Sequence, residues 1–154
     1  MKHTIARAAF AIVFAGSLIV SMPSQARAAG PCSLARAAGS WSFTDNGTVV
    51  GVGPRTAVGV WTLDGNGNLL NGVATSSLNG SIASETFSGT YAVNSDCAGT
   101  VDVKIYSGGT ELFEVTGFTA FDDDMKEMRG VFTSIVTPDG TSLPSVISLQ
   151  ARKQ

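Results

Sequence analysis

From residue 39 onward the chain is built of short stretches in which hydrophobic and polar residues alternate. These stretches are rich in Val, Ile, Thr, Phe and Tyr, and no helix-length apolar period separates them, which is typical of β-strands. We predict strands at about 39–44, 56–63, 68–77, 81–93, 99–106, 111–121, 127–136 and 145–151. Residues 45–55 form either a short ninth strand or a loop over one end of the sheet.

Turn-forming residues separate these stretches at short, even intervals. Asn-Gly and Asp-Gly pairs supply the positive φ angles that tight hairpins require. The spacing therefore predicts an antiparallel up-and-down meander rather than a parallel sheet. The turn segments are Asp45-Asn46-Gly47, Asp64-Gly65-Asn66-Gly67, Asn79-Gly80, Asn94-Ser95-Asp96, Ser107-Gly108-Gly109, Asp122-Asp123-Asp124 and Pro138-Asp139-Gly140.

A weak internal repeat indicates that the sheet closes on itself. Each copy places a glycine ahead of alternating aromatic or aliphatic residues, in the segments 39–43, 59–63, 89–93 and 117–121. Glycine inside a strand marks a bend or a close backbone approach, and closure removes the two exposed edges of an open sheet. We predict an all-β barrel of about eight strands and favour it over a two-sheet sandwich. A short helix over Pro31–Ala38, stopped by Gly39, precedes the first strand.

The first 28 residues have the pattern of a secretory signal peptide. A basic start with Lys2 and Arg7 leads into an apolar run over 8–20, and Ala26-Arg27-Ala28 offers small residues for cleavage after Ala28. The run is shorter than a membrane span, and Pro31 precedes Cys32 where a lipoprotein site needs a small residue. We expect an exported protein, periplasmic or secreted, with one domain over 29–154 and no membrane segment after cleavage.

Removal of this segment changes the charge of the protein. The full chain has 10 Lys and Arg against 12 Asp and Glu; losing Lys2, Arg7 and Arg27 leaves seven against 12, a net charge of −5. Such a balance disfavours nucleic acid and anionic membranes as partners. The only histidine, His3, is also lost, so no imidazole remains for a Ser-His-Asp site or for zinc. We expect no metal and no cofactor, and the oligomeric state is left open.

The two cysteines, Cys32 and Cys97, are expected to form a disulfide, since a pair in an exported chain is usually bridged. The alternative, a redox pair, lacks a CxxC spacing and a neighbouring base. Cys32 precedes the first strand and Cys97 lies in a hairpin turn, so the bond is expected to tie the N-terminal helix to the turn after the fourth strand.

The opening Gly39-Ser40-Trp41 resembles the G-x-W motif of the calycin barrels, which include lipocalins and avidins. That resemblance implies that Trp41 lies across the closed end and packs under an arginine from a late strand, for which Arg129 is the candidate. The segments 64–68, 79–82 and 89–99 also resemble small exported bacterial proteins, a likeness that carries no function with it.

Two acidic residues are candidates for chemistry inside the barrel. Glu85 shares a strand face with Phe87 and Tyr91, and that face is expected to be buried. A carboxyl group in an apolar barrel has a raised pKa and can exchange a proton. Alternatively, Glu85 lies near a mouth and meets water or Arg129. Glu114 raises the same question, but its strand does not show which face is inside.

Two acidic turns could in principle hold a cation. Residues 64–68 place oxygen-bearing side chains at alternate positions, and Asp122 to Asp124 are three adjacent acids. The first lacks the glycine and glutamate positions of an EF-hand, and adjacent acids in a turn point in different directions. Plain solvated turns are the favoured interpretation of both.

Two functions of different classes remain. In the first, the barrel binds a small apolar ligand without catalysis, or is a structural module; Tyr91, Phe87 and Trp61 are the expected ligand contacts, with ordinary core packing as the alternative. In the second, it is a cofactor-free cyclase or isomerase resembling the allene oxide cyclase barrels, in which Glu85 or Glu114 assists a reaction shaped by the cavity. A closed cavity of a few hundred cubic ångströms with a carboxyl group pointing into it would favour either one. A filled barrel would contradict both and leave a structural or interaction role.

Overall fold

The computed structural model of the chain describes residues 32–154. One short helix, α1 (Leu34–Ala37), is followed by eight strands. Each strand pairs antiparallel with the next, and β1 pairs with β8, so the sheet closes into a barrel. The strands are β1 (Gly39–Val49), β2 (Gly53–Leu63), β3 (Asn68–Leu78), β4 (Ser81–Val93), β5 (Ala98–Ser107), β6 (Thr110–Phe121), β7 (Glu127–Val136) and β8 (Ser145–Lys153).

This architecture confirms the predicted eight-stranded antiparallel meander. Alternate side chains along the strands point inward, and many of them are buried, as in β1, where Trp41, Phe43, Asp45 and Val49 are buried. The predicted signal peptide, residues 1–28, lies outside the described residues. No helix within residues 32–154 is long and apolar enough to span a membrane.

Residues 45–55 form neither a ninth strand nor a loop. They continue β1 to Val49 and begin β2 at Gly53, with a tight turn between. Asn46-Gly47, which has the composition of a turn, lies inside β1. A Cβ on Gly47 would stand 1.9 Å from the Val146 carbonyl oxygen of β8, so this glycine allows the close approach that closes the barrel.

One end of the barrel is covered by α1. Ser33 caps the helix, its hydroxyl accepting a 3.3 Å hydrogen bond from the Arg36 backbone N–H. The disulfide between Cys32 and Cys97 joins the helix to the turn between β4 and β5, which confirms both the bond and its predicted position. A bridge of this kind indicates a non-reducing setting. We call this the helix end.

At the opposite end, which we call the far end, the connection from β7 to β8 folds back along β7. The two strands pair only between 127–131 and 148–152. Beyond that point the connection itself pairs with β7, the Leu143 N–H donating to the Ile135 carbonyl at 2.8 Å. Partly buried apolar side chains pack there against the core: Leu78, Phe113, Phe132 and Leu143.

Candidate functional site

A charged cluster lies inside the barrel. The Arg55 guanidinium of β2 donates two parallel hydrogen bonds to the Glu85 carboxylate of β4, each 2.9 Å long. The Ser76 hydroxyl of β3 donates a third, 2.6 Å long, to Glu85 Oε1. Arg55 is 7 % exposed and Glu85 4 %. This is a buried ion pair with the fork geometry that is the strongest form of such a contact.

A second carboxylate, Asp45 of β1, joins the cluster without a full set of partners. Its Oδ2 lies 3.5 Å from Arg55 Nη2, and its Oδ1 is buried with no hydrogen-bond partner. The side chain is 2 % exposed. The cluster therefore holds two acids and one base, an excess of one negative charge when both acids are ionised.

The two acids have opposite pKa shifts. Burial raises the pKa of Asp45, the attraction of Arg55 offsets this only in part, and the charge of Glu85 raises it further. Burial also acts to raise the pKa of Glu85, but the hydrogen bonds and charge of Arg55 together with the Ser76 hydroxyl outweigh it, so that pKa is lowered. The raised pKa expected at Glu85 is thus found at Asp45 instead.

Strand register explains why these residues meet. Asp45 faces Ala57 across β1 and β2, Ala57 faces Ser76 across β2 and β3, and Ser76 faces Ala83 across β3 and β4. Arg55 lies two residues before Ala57, and Glu85 lies two residues after Ala83. A spacing of two keeps each side chain on the inward face of its strand.

A cavity of about 50 Å³ adjoins the cluster in the middle of the barrel. Its aromatic wall consists of Phe43, Trp61 and Phe87, whose ring centroids are 4.6 to 6.1 Å apart. This volume holds a few water molecules. It is smaller than the few hundred cubic ångströms expected of a ligand cavity and well below the roughly 300–1,000 Å³ of drug-sized pockets. The remaining lining residues are Asp45, Arg55, Leu69, Glu85, Val101, Val103, Ile105, Val115, Phe132 and Leu149.

Glycines make room for two of these rings. A Cβ on Gly59 would come within 2.6 Å of the Phe43 ring, and one on Gly72 within 2.4 Å of the Phe87 ring. Gly72 follows a β-bulge that interrupts the pairing of β3 with β4. The aromatic wall therefore depends on two positions that have no side chain.

Two residues lining the cavity carry buried polar atoms without hydrogen-bond partners. These atoms are Asp45 Oδ1 and Trp61 Nε1. Leaving such an atom unpaired costs about 1–3 kcal/mol. Among residues 32–154 one further buried side-chain atom, Thr119 Oγ1, has no partner, and Thr119 does not line the cavity.

Of the residues predicted from the sequence to contact a ligand or to take part in chemistry, some line the cavity and others lie elsewhere in the barrel. Trp61, Phe87 and Glu85 line the cavity. The Tyr91 hydroxyl instead lies at the helix end. Its single O–H is shared between two backbone carbonyls, that of Asp64 and that of Leu34, the latter at 3.2 Å. Burial, and secondarily the charge of Asp64, raises the pKa of Tyr91 to about 12.

Glu114 lies on the outer surface. Its side chain is 45 % exposed, and its Oε2 is 3.6 Å from Lys104 Nζ. It is therefore outside the cavity, and Glu85 is the one of the two candidate acids that the structure places inside.

The expected stacking of Arg129 on Trp41 is wrong. Trp41 points inward and is fully buried at the helix end, where its indole N–H donates a 2.9 Å hydrogen bond to the Ala37 carbonyl. Arg129 pairs in register with Gln150, and its side chain is exposed. Because Met128 points inward, its neighbour Arg129 must point outward. The indole ring packs edge-on against Phe121 instead.

The acidic turns are used for backbone hydrogen bonding. Asp64 Oδ1 accepts from the N–H groups of Asn66 and Asn68, each at 2.8 Å. Asp122 Oδ1 accepts from those of Lys126 and Glu127. Within residues 32–154 no group of three or more His, Cys, Asp or Glu side chains is arranged to hold a metal ion.

Sequence reasoning missed Asp45, Arg55 and Ser76. The composition of Asp45-Asn46-Gly47 predicts a turn, although Asp45 continues the inward alternation of Trp41 and Phe43. Arg55 similarly precedes the inward-facing Ala57 at a spacing of two. Strand periodicity extended through the apparent turn would have placed both acid and base inside.

Comparison with known proteins adds information on the fold. No family model and no curated protein matches the sequence. Among solved structures, the redesigned β-barrel mFAP1 bound to DFHBI has a TM-score of 0.51 at 17% identity, over 79% of this chain and 98% of that one. EF1p2_mFAP2b bound to DFHBI has a TM-score of 0.55 at 14% identity, over 79% and 100%. At these identities the likeness establishes the eight-stranded barrel and nothing finer.

Proposed function

We propose that this chain is an exported, non-enzymatic β-barrel that binds a small molecule in its interior. The observation that carries the proposal is the cavity lined by Phe43, Trp61 and Phe87 on one side and by a charged cluster on the other. Two residues of this lining, Asp45 and Trp61, hold buried polar atoms without partners. A ligand that paired with them would recover free energy that the isolated barrel gives up.

The size of the cavity restricts what can bind. At about 50 Å³ it takes only a few non-hydrogen atoms, and a larger apolar ligand requires rotamer changes of the aromatic wall. The proteins of similar fold, mFAP1 and EF1p2_mFAP2b, are each bound to the small molecule DFHBI. The calycin-like opening at Gly39-Ser40-Trp41 agrees with small-molecule binding by this barrel.

The tryptophan indole N–H groups provide a direct binding test. In a ¹⁵N-labelled protein they give two side-chain NMR signals, which Trp61→Phe assigns by removing one. A molecule entering the cavity should move the Trp61 signal and leave the Trp41 signal in place, because the Trp41 N–H is bonded to Ala37 at the helix end. Native mass spectrometry of protein purified from its own host should show a bound small molecule. Absence of any adduct, together with an unresponsive Trp61 signal, would contradict the proposal.

Export rests on the signal-peptide pattern and is supported by the disulfide, which is stable in oxidising compartments. Intact-mass analysis of the protein from the host should give a chain beginning at Ala29, recovered from the periplasm or the medium. A chain that keeps residues 1–28 and remains in the cytoplasm would refute this part of the proposal.

Cofactor-free catalysis is the second candidate, and a buried carboxyl group in an interior cavity favours it. Glu85 is held by Arg55 and Ser76, whereas Asp45 has a free oxygen and a raised pKa. Asp45 is therefore the better proton donor or acceptor of the two. This second function replaces the first if the wild-type protein converts a ligand found by mass spectrometry, whereas the Asp45→Asn variant binds that ligand without converting it.

A further inference from the structure

We propose that the interior site selects a ligand bearing a positively charged N–H group, an amidinium or an ammonium, which pairs with Asp45. The inference rests on the proposed function and specifies the chemical class of its ligand. It follows from the balance of buried charge, from the unpaired atom of Asp45 and from the composition of the cavity wall.

The balance of charge inside the described barrel is negative. The buried charged side chains of residues 32–154 are Asp45, Arg55 and Glu85, two acids and one base. Both Nη groups of Arg55 are engaged by the two oxygens of Glu85 at 2.9 Å. Asp45 is left with a 3.5 Å approach to the guanidinium, longer than the roughly 2.7–2.9 Å of a charge-assisted hydrogen bond, and with a small stabilising contribution from the backbone of Ala57. Its Oδ1 has no hydrogen-bond partner. Its charge is only partly compensated.

An incompletely paired carboxylate in an apolar interior is costly. Asp45 can reduce that cost by binding a proton, which agrees with the direction of its pKa shift, or by pairing with a cation. An anionic ligand would add to the excess negative charge, and a purely apolar ligand would leave Asp45 Oδ1 unpaired. A cation with N–H groups satisfies both the charge and the free oxygen.

The aromatic wall favours the same class of ligand. Phe43 is two residues before Asp45 on the same inward face of β1, and its ring contacts those of Trp61 and Phe87. Aromatic faces attract cations through their quadrupole, most strongly where water is excluded. With Phe132, four aromatic rings line the cavity, together with Asp45 and the paired Arg55 and Glu85. Because Glu85 already neutralises Arg55, the rings and Asp45 form a site suited to a small organic cation.

Acetamidinium and acetamide provide matched probes. The two are planar, have the same number of non-hydrogen atoms and differ in charge. Titration followed by the Trp61 indole signal, with Trp41 as the internal reference, should show acetamidinium binding at least about tenfold more tightly than acetamide, given the coupling measured for close buried charges. Asp45→Asn should abolish this preference. Glu114→Gln, which removes one carboxylate from the outer surface, should leave it unchanged.

A second measurement requires no variant. Because the pKa of Asp45 is raised, binding of acetamidinium to its carboxylate should release a proton at pH values near that pKa. Calorimetric titration in two buffers of different ionisation enthalpy should detect the release. Arg55 and Glu85 are the other charged groups facing this position. Despite burial, the pKa of Arg55 is raised above its already high ordinary value by Glu85 and Asp45, and the pKa of Glu85 is lowered by Arg55 and Ser76. Of the two acids, Asp45 is therefore the one whose proton is released at the higher pH.

The outcomes separate the inference from the proposed function. Equal affinity for acetamidinium and acetamide, or a preference that persists in Asp45→Asn, would overturn the cation inference while binding by the barrel stands. If neither probe moves the Trp61 signal and the host protein carries no adduct, the proposed function fails as well. If Asp45→Asn does not fold, the absence of proton release in the wild type overturns the inference.

Discussion

The buried pair Arg55–Glu85 should behave as a coupled unit, and a double-mutant cycle tests this. The cycle is best built in an Asp45→Asn background, so that removing both partners leaves no ionised group in the barrel. Arg55→Met or Glu85→Leu alone then leaves the other charge buried without its partner. Breaking a buried pair in this way costs about 3–5 kcal/mol.

The expected magnitudes follow from the geometry. Both residues are less than 10 % exposed and share two 2.9 Å hydrogen bonds, so solvent screens the lost interaction little. For a domain of this size each kcal/mol shifts Tm by about 4 °C, and each single variant should lose about 12–20 °C. The double variant, with apolar side chains of similar volume, should be within about 2 kcal/mol of the background. The two single losses should therefore exceed the double loss by at least about 4 kcal/mol.

Chemical denaturation at pH 7 gives the free energies of unfolding of the four proteins of the cycle, and a pH series adds a second check. Without Arg55, burial raises the pKa of Glu85 above its ordinary 4.5. A raised folded pKa means that the folded state binds the proton more tightly, so Arg55→Met should gain stability as pH falls from 7 toward 5, and Glu85→Leu should not. The coupled buried pair would be refuted if the stability losses of the two single variants added up to the loss of the double variant. It would also be refuted if the stability of Arg55→Met and of Glu85→Leu changed with pH in the same way.

Three further predictions concern single contacts. Asp45→Asn should be at least as stable as wild type at pH 7, and any gain should vanish below about pH 3.8, because a carboxyl with a raised folded pKa destabilises only where it is ionised; calorimetric Tm values across pH check this, and a large loss at pH 7 would contradict it. Cys32→Ser with Cys97→Ser should cost about 4 kcal/mol, since the bridge closes a loop of 65 residues; unfolding in urea measures it, and an unchanged midpoint would contradict it. Tyr91→Phe should lose about 1–2 kcal/mol by removing its hydroxyl contacts at the helix end without changing the Trp61 signal of ligand titrations, whereas altered binding with unchanged stability would make Tyr91 a ligand contact.

The order of strands and the disulfide could be predicted from the sequence because both depend on local features. Period-two alternation marks each strand, turn residues mark each connection, and antiparallel neighbours joined by short turns pair in chain order. The inward position of Glu85 followed from the same periodicity on β4. Even the error at residues 45–55 has a local origin, since Asn46-Gly47 has the composition of a turn while Gly47 allows the backbone of β8 to approach.

Only the tertiary structure decided which side chains share the interior and which charges they carry there. Trp41 and Arg129 are on opposite faces of the barrel wall because the strand parity at Met128 turns Arg129 outward. Asp45, Arg55, Ser76 and Glu85 come from four strands, and their meeting depends on the register of three pairings. A shift of one residue in any of these registers would move a charged group to the outer surface. The excess negative charge of the cavity is therefore a property of the closed barrel that no single segment of the sequence contains.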